Sequence, residues 1–236
     1  MTRHSLQPRN QLLAALPGGV LQRLESHLHP FDLIVRDVLY EPGDRVRYAV
    51  FPERGVISLV NVGQDGRSIE VGTIGHEGMT GVAALWGIDF VPYRCVVQIP
   101  GSAWRIKCAD LLKEAGPMQR LMLHYHVAFT SQIMQSTACA GLHSIEQRCC
   151  RWLLTTRDRV DSDPFSLSHE FLALMLGTRR ATVSQVMKKL QDRGLIKYQR
   201  GRITIADRAG LVTSSCECYQ VVADAYRRVM RVARQS

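Results

Sequence analysis

The 236-residue chain lacks any run of about 18 consecutive apolar residues, the length a helix needs to cross a bilayer. Its opening residues also lack the apolar core of a secretory signal, so a cytoplasmic protein with no membrane partner is expected. Cysteine is missing before Cys95, and the seven that occur (95, 108, 139, 149, 150, 216 and 218) follow no even spacing. That excludes the regular disulfide framework of a small secreted domain and makes reduced packing thiols the default. There is no HExxH, no nucleophile elbow and no phosphate-binding glycine loop, so no enzyme is expected. The alternative is an enzyme or small-molecule carrier built on the N-terminal half, with the C-terminal half as an accessory.

Acidic residues are scarce relative to basic ones, 21 against 30, giving a net charge of +9. The imbalance is local. Between Ser168 and Arg202, eight Lys or Arg face only Glu170 and Asp192, so this stretch carries +6 of the total. Phosphate binding needs such a localised excess, whereas a merely solvated surface mixes its signs.

The same stretch has a readable local grammar. Ser168 caps a mostly apolar run through Leu176, and Gly177-Thr178-Arg179 breaks it, predicting a short helix ended by a glycine turn. A second helix begins at Arg180, with Thr178 available as its cap and Val183, Val186 and Leu190 on its buried stripe. The opposite stripe carries Arg180, Ala181, Ser184, Gln185 and Lys188. A major groove about 12 Å wide admits such a helix, where Arg grips guanine and Gln grips adenine. Ile196–Arg200 and Arg202–Ile205 alternate around Gly201, predicting a two-stranded wing with cations at its tip. The reading is a winged helix-turn-helix on double-stranded DNA.

The first hundred residues read differently. After a helical opening around Leu12 to Leu28, short alternating runs suggest strands at Asp32–Val35, Val38–Tyr40, Tyr48–Phe51, Gly55–Val62, Ser68–Ile74, Arg94–Ile99 and Ala103–Ile106. Turn signals such as Glu41-Pro42-Gly43-Asp44 and Gly63-Gln64-Asp65-Gly66 separate them, predicting an antiparallel sandwich or jelly-roll barrel. From Ala109 the period becomes helical, with a run of about 27 residues opening at Pro117. Its apolar surface is either buried beneath the barrel or paired with a second copy of the chain. Met118, Met122, Tyr125 and Phe129 are the expected dimer contacts. A two-fold dimer sets two recognition helices about 34 Å apart, one turn of DNA, and so favours a palindromic site. A last helix, with Tyr219, Val222, Ala223, Tyr226, Val229 and Met230 on one face and Arg227, Arg228, Arg231 and Arg234 near its end, is expected to cap the DNA-binding unit.

The fold class is therefore α+β: residues 1–108 a sensor barrel, 109–142 the dimerisation helix and 143–236 the winged helix-turn-helix unit with an extra helix. In that order, these parts resemble the superfamily of the cyclic-AMP receptor protein and the fumarate-nitrate regulator (CRP/FNR). The strongest likeness lies in Leu176-Gly177-Thr178-Arg179-Arg180-Ala181-Thr182-Val183-Ser184 and in Leu190-Gln191-Asp192-Arg193-Gly194-Leu195-Ile196. Tyr48-Ala49-Val50-Phe51, Gly55-Val56-Ile57 and Gly75-His76-Glu77-Gly78-Met79-Thr80-Gly81 resemble the barrel's central strands and effector loop. The resemblance implies a homodimeric transcription regulator that contacts RNA polymerase. It assigns base reading to Arg180, Ala181 and Gln185, and backbone contacts to Arg179, Thr182, Ser184, Lys188, Lys189, Arg200 and Arg202. Many relatives have Glu and Arg where this chain has Ala181 and Gln185, which implies an altered DNA preference.

By the same alignment the effector pocket comprises Gly78, Met79, Gly81, Val82, Arg94 and Cys95. Members that bind cyclic AMP have Gly-Glu and Arg-Ser where this chain has Gly81-Val82 and Arg94-Cys95. Valine offers no acceptor for a ribose hydroxyl, so cyclic AMP is not the expected effector. The iron-sulfur members have an N-terminal cysteine cluster that this chain lacks, and His76 alone is weak support for haem. No cofactor and no metal are expected. His124 and His126 lie two apart on a helix and point different ways. Cys149-Cys150 and Cys216-Glu217-Cys218 are redox candidates, with structural packing the preferred reading.

Overall fold

The computed structural model describes residues 6–160 and 164–233. Two short helices open it, α1 (Gln11–Ala14) and α2 (Gly18–Glu25), with Pro17 as the N-cap of the second. Seven strands follow: β1 (His29–Leu33), β2 (Val38–Tyr40), β3 (Tyr48–Pro52), β4 (Val56–Val62), β5 (Ser68–Ile74), β6 (Arg94–Ile99) and β7 (Gly101–Lys107). They make two antiparallel sheets, ordered β1-β7-β3 and β2-β6-β4-β5. The first strand lies earlier than the expected Asp32–Val35. The chain reverses at Arg36, whose φ is +73°, and this leaves Ile34 and Val35 exposed in the turn.

β4 explains why one strand reads as an almost unbroken apolar run. Successive side chains of a strand point to opposite faces. Ile57 and Leu59 enter the barrel core, while Val56 and Val60 enter a second core with residues of the C-terminal unit. The barrel thus serves as packing surface on both sides of one sheet.

After α3 (Cys108–Lys113) comes α4 (Ala115–Leu142), a 28-residue helix in which Pro117 stands in the first turn, where its missing N–H has no partner to lose. The expected dimer contacts are corrected here. Met118, Met122, Tyr125 and Phe129 are all buried in the barrel core of their own chain. The Tyr125 hydroxyl donates to the Met79 carbonyl at 2.8 Å and accepts from the Met79 N–H at 3.0 Å. This face is consumed by the barrel because it is the more apolar of the two. The solvent face instead carries Leu123, Val127, Thr130, Met134 and Thr137, alternating four and three residues apart.

The C-terminal unit comprises α5 (Ile145–Val160), β8 (Phe165–Ser166), α6 (His169–Leu176), α7 (Arg180–Asp192), β9 (Ile196–Gln199), β10 (Arg202–Ile205), α8 (Arg208–Ser214) and α9 (Cys218–Ala233). Its core gathers Leu153, Leu172, Leu176, Val183, Met187, Leu190 and Ile203. The recognition helix buries Met187 more fully than Val186, which was expected on the buried stripe. The wing gains a third strand, since β8 pairs with β10. The packing of α9 is a further correction. Val222, Tyr226 and Val229 join the barrel core, and the Tyr226 ring lies 6.4 Å from that of Tyr125. α9 therefore lies along α4 instead of capping the DNA-binding unit, and its exposed face carries Arg227, Arg228 and Arg231; Arg234 falls outside the described residues.

Candidate DNA-binding surface and sensor pocket

The turn between α6 and α7 is built by two local devices. The Ser168 side chain accepts from the Phe171 N–H at 3.1 Å at the start of α6. At its end Gly177 takes φ +60°, a left-handed conformation in which a side chain is strained, while its neighbour in space is Ile69 of β5. The expected Thr178 cap does not form. Arg179 is the N-cap of α7 and makes no side-chain cap bond, so the first N–H groups of α7 are available to a phosphate.

On α7, Arg180, Ala181, Gln185 and Lys188 are exposed, while Val183, Met187 and Leu190 anchor the opposite face. Ala181 leaves a shallow point between the two longer polar side chains. Arg179 is exposed beside them and Thr182 is half-buried. Arg200 and Gly201 form the tip of the wing, both at positive φ (+50° and +74°), the signature of a tight hairpin turn. Arg200 and Arg202 are exposed there. Two expected phosphate contacts have other partners. Lys189 pairs with Glu146 of α5 at 2.6 Å, as does Arg193 at 2.7 Å. Ser184 Oγ lies 2.9 Å from His169 Nδ1. His169 also stacks on Tyr198 with centroids 4.5 Å apart, so one ring ties the first helix to both the recognition helix and the wing. Burial and the nearby Arg180 charge hold the His169 pKa below its ordinary value.

The effector-loop region is closed. Met79, Gly81, Val82 and Cys95 line a residual cavity of about 10 Å³ shared with Tyr40, Leu59, Ile74 and Phe129. Ligand pockets run to about 300–1,000 Å³. Two of the expected pocket residues are not part of its lining. Arg94 turns to Glu41 at 2.8 Å near the surface. Gly78 packs against Tyr125, whose hydroxyl would lie 2.6 Å from any Cβ added there. The loop is held further by Glu77. Its carboxylate accepts from Arg159 Nε at 2.8 Å, and the same guanidinium donates to Gln132 Oε1 at 2.9 Å and to Thr73. Burial opposes ionisation of Glu77, but the Arg159 charge and hydrogen bond outweigh it and hold the pKa below the ordinary value. A separate open cleft of about 1350 Å³ lies between α1, α4, α5 and α9, with Glu77, Arg159, Tyr219 and Tyr226 on its walls.

Residues 147–213 match the family model of the Crp-like helix-turn-helix domain. This segment is a Crp-like helix-turn-helix domain. No curated protein matches the sequence significantly. Among solved structures, FixK2 of Bradyrhizobium japonicum is similar at 17% identity and a TM-score of 0.69, over 80% of this chain and 98% of that one. The c-di-GMP-responsive global regulator CLP of Xanthomonas campestris is similar at 19% identity and 0.62, over 80% and 99%. A CRP-family transcriptional regulator of Thermus thermophilus follows at 21% and 0.65, over 78% and 96%. The chain therefore has the fold of CRP/FNR transcription regulators, barrel and long helix included.

Within the Crp-like domain, Arg180, Ala181 and Gln185 lie on the exposed face of α7, whereas nothing in the sequence marks out His169, a lone histidine inside an apolar helix pattern. Nor does the sequence mark out the link between Glu77 and Arg159, separated by 82 residues. The one available signal is an arginine at the end of a helix that buries most of its length. Cys149 and Cys150 sit in the aliphatic core, and burial lifts both thiols, Cys150 to about 12, as packing residues require. Among the described residues, no helix is long and apolar enough to cross a membrane.

Proposed function

We propose that the chain is a homodimeric, sequence-specific DNA-binding regulator, in which Arg180, Ala181 and Gln185 read bases and Arg179, Lys188, Arg200 and Arg202 hold phosphates. The observation that carries this reading is the exposure of all three base-facing positions on a helix whose other face is locked into the domain core. Arg180 suits guanine and Gln185 suits adenine, while Ala181 can meet a thymine methyl group. Selection of duplexes from a random pool tests the reading directly. It should return an inverted repeat with half-sites about one helical turn apart. Recovery of sequences with no common element would reject it.

Dimerisation is assigned to the solvent face of α4, where Leu123, Val127 and Met134 are 44%, 63% and 68% exposed. Their spacing is that of a coiled-coil seam. Val127→Glu should therefore convert a dimer to a monomer in sedimentation velocity and abolish binding to the full palindrome. Met122→Ala, on the barrel face, should lower stability without changing the association state.

The signal is not cyclic AMP on this reading. Calorimetry with cyclic AMP should give no heat of binding, because the barrel cavity lacks the room and Val82 lacks the acceptor. Micromolar binding lost on Arg94→Ala would contradict this. The cleft beside Glu77 and Arg159 has the volume for a ligand, and it adjoins the ion pair that joins the effector loop to α5.

A further inference from the structure

Three of the seven cysteines form a cluster apart from both aliphatic cores. Cys139, Cys216 and Cys218 pack against one another, buried to 0%, 4% and 0% exposure. A thiol that serves only as packing sits among aliphatic side chains, as Cys95 and Cys149 do here. His143 completes the group. Its ring nitrogen and the three sulfurs all lie within 4.8 Å of one another. Four donors around zinc at tetrahedral bond lengths stand about 3.8 Å apart for a sulfur pair. Cys139 Sγ to Cys216 Sγ is 3.5 Å and would open by a few tenths of an ångström, Cys218 Sγ to His143 Nδ1 at 3.5 Å already suits a sulfur–nitrogen pair at about 3.6 Å, and the pairs that stand as far as 4.8 Å apart would close in around a metal.

We infer that Cys139, His143, Cys216 and Cys218 form a structural zinc site that fastens the end of α4 to the link between α8 and α9. Local geometry builds it from two short pieces. Cys139 stands in the last turn of α4, and His143 is the C-cap of that helix, its N–H donating to the Cys139 carbonyl at 3.2 Å, so the two stay side by side where the chain turns out of the helix. Cys216 and Cys218 flank Glu217 at the start of α9.

The surroundings suit a metal. Glu217 Oε1 lies 3.2 Å from His143 Nε2, so the carboxylate orients the imidazole and leaves Nδ1 facing the thiols. Gln135 Nε2 donates to Cys218 Sγ at 3.0 Å, an N–H to sulfur contact of the kind that steadies a thiolate. Three thiolates, one neutral imidazole and a divalent cation leave one negative charge. Arg148 and Arg151 are close enough to act electrostatically on Cys139 and offset it. Soft thiolates with one imidazole in a closed, four-ligand shell select zinc over the oxygen-loving cations.

The position gives the site its consequence. α4 carries the barrel contacts through Tyr125, and α5, which begins the Crp-like domain, starts two residues after His143. A metal here fixes the angle at which one half leaves the other.

The test uses the full-length protein purified without chelator, and involves no DNA, so its failure is separable from failure of the DNA-binding reading. Elemental analysis should give about one zinc per protomer, with Cys216→Ser and His143→Ala each losing most of it while Cys149→Ala retains it. As a check independent of variants that misfold, wild-type protein stripped and reloaded with cobalt should show intense visible bands of tetrahedral coordination and thiolate charge transfer. Metal-free protein with all three thiols open to a thiol reagent would overturn the inference. So would a Cys139–Cys216 disulfide in protein purified without oxygen, or cobalt spectra lacking thiolate bands.

Discussion

Arg159→Ala is expected to destabilise the protein by about 3–5 kcal/mol, the cost of stripping a buried carboxylate of its counter-charge. Arg159 and Glu77 are both buried, at 5% and 8% exposure, and Thr73 and Gln132 accept further hydrogen bonds from the guanidinium. Removing the arginine strands Glu77 against Tyr125 and Tyr226 in a low-dielectric interior, and the effector loop loses its tie to α5. The double variant Glu77→Gln, Arg159→Met should recover much of the loss, since an uncharged replacement of the whole pair removes the stranded charge. Urea denaturation of the wild type, Glu77→Gln, Arg159→Met and the double variant measures the coupling. Equal destabilisation by single and double variants would show that shape, not charge, dominates.

The ion pair also sets a pH dependence. A carboxyl whose folded pKa is depressed contributes stability above its unfolded pKa and loses it as pH falls through the folded value. Glu77 is such a group. The wild type should therefore lose stability on acidification below the ordinary carboxylate range more steeply than Glu77→Gln. Parallel curves for the two proteins would contradict this assignment.

The second large effect is expected at Arg180. A bidentate contact to one base discriminates by about 1–3 kcal/mol, and a two-fold dimer makes it twice. Arg180→Ala should weaken binding to the selected palindrome by about 30- to 20,000-fold, with little change on non-specific duplex. Arg200→Ala should instead weaken binding to all duplexes similarly and lower the salt dependence by about one counterion for each wing. Fluorescence anisotropy on matched and scrambled duplexes separates the two. If Arg180→Ala behaved as Arg200→Ala does, Arg180 would be a phosphate contact.

These expectations rest on features that are unequally legible in the sequence. The recognition unit is legible because its signals are local: Ser168 caps, Gly177 turns, and the stripe of Val183 and Leu190 fixes which face is left for DNA. The strands are legible for the same reason, except where the turn at Arg36 displaces β1. Orientation of α4 is not, because the helix is apolar on more than one side. Its period shows two apolar faces but not which meets the barrel, and the contact of Tyr125 with Met79 decides it. α9 misleads similarly: Val222, Tyr226 and Val229 mark a buried stripe without naming its partner. The links from Glu77 to Arg159 and from Cys139 to Cys216 span some 80 residues, and no spacing rule reaches that far.

Most directly, the central claim is tested by the ratio of affinities for the selected inverted repeat and for the same duplex with both half-sites scrambled, measured near physiological salt. Preference for the repeat by at least about 1,000-fold is expected, with one dimer bound per site. Equal affinity for the two duplexes, with both falling together as salt rises, would show that the basic surface binds DNA without reading it.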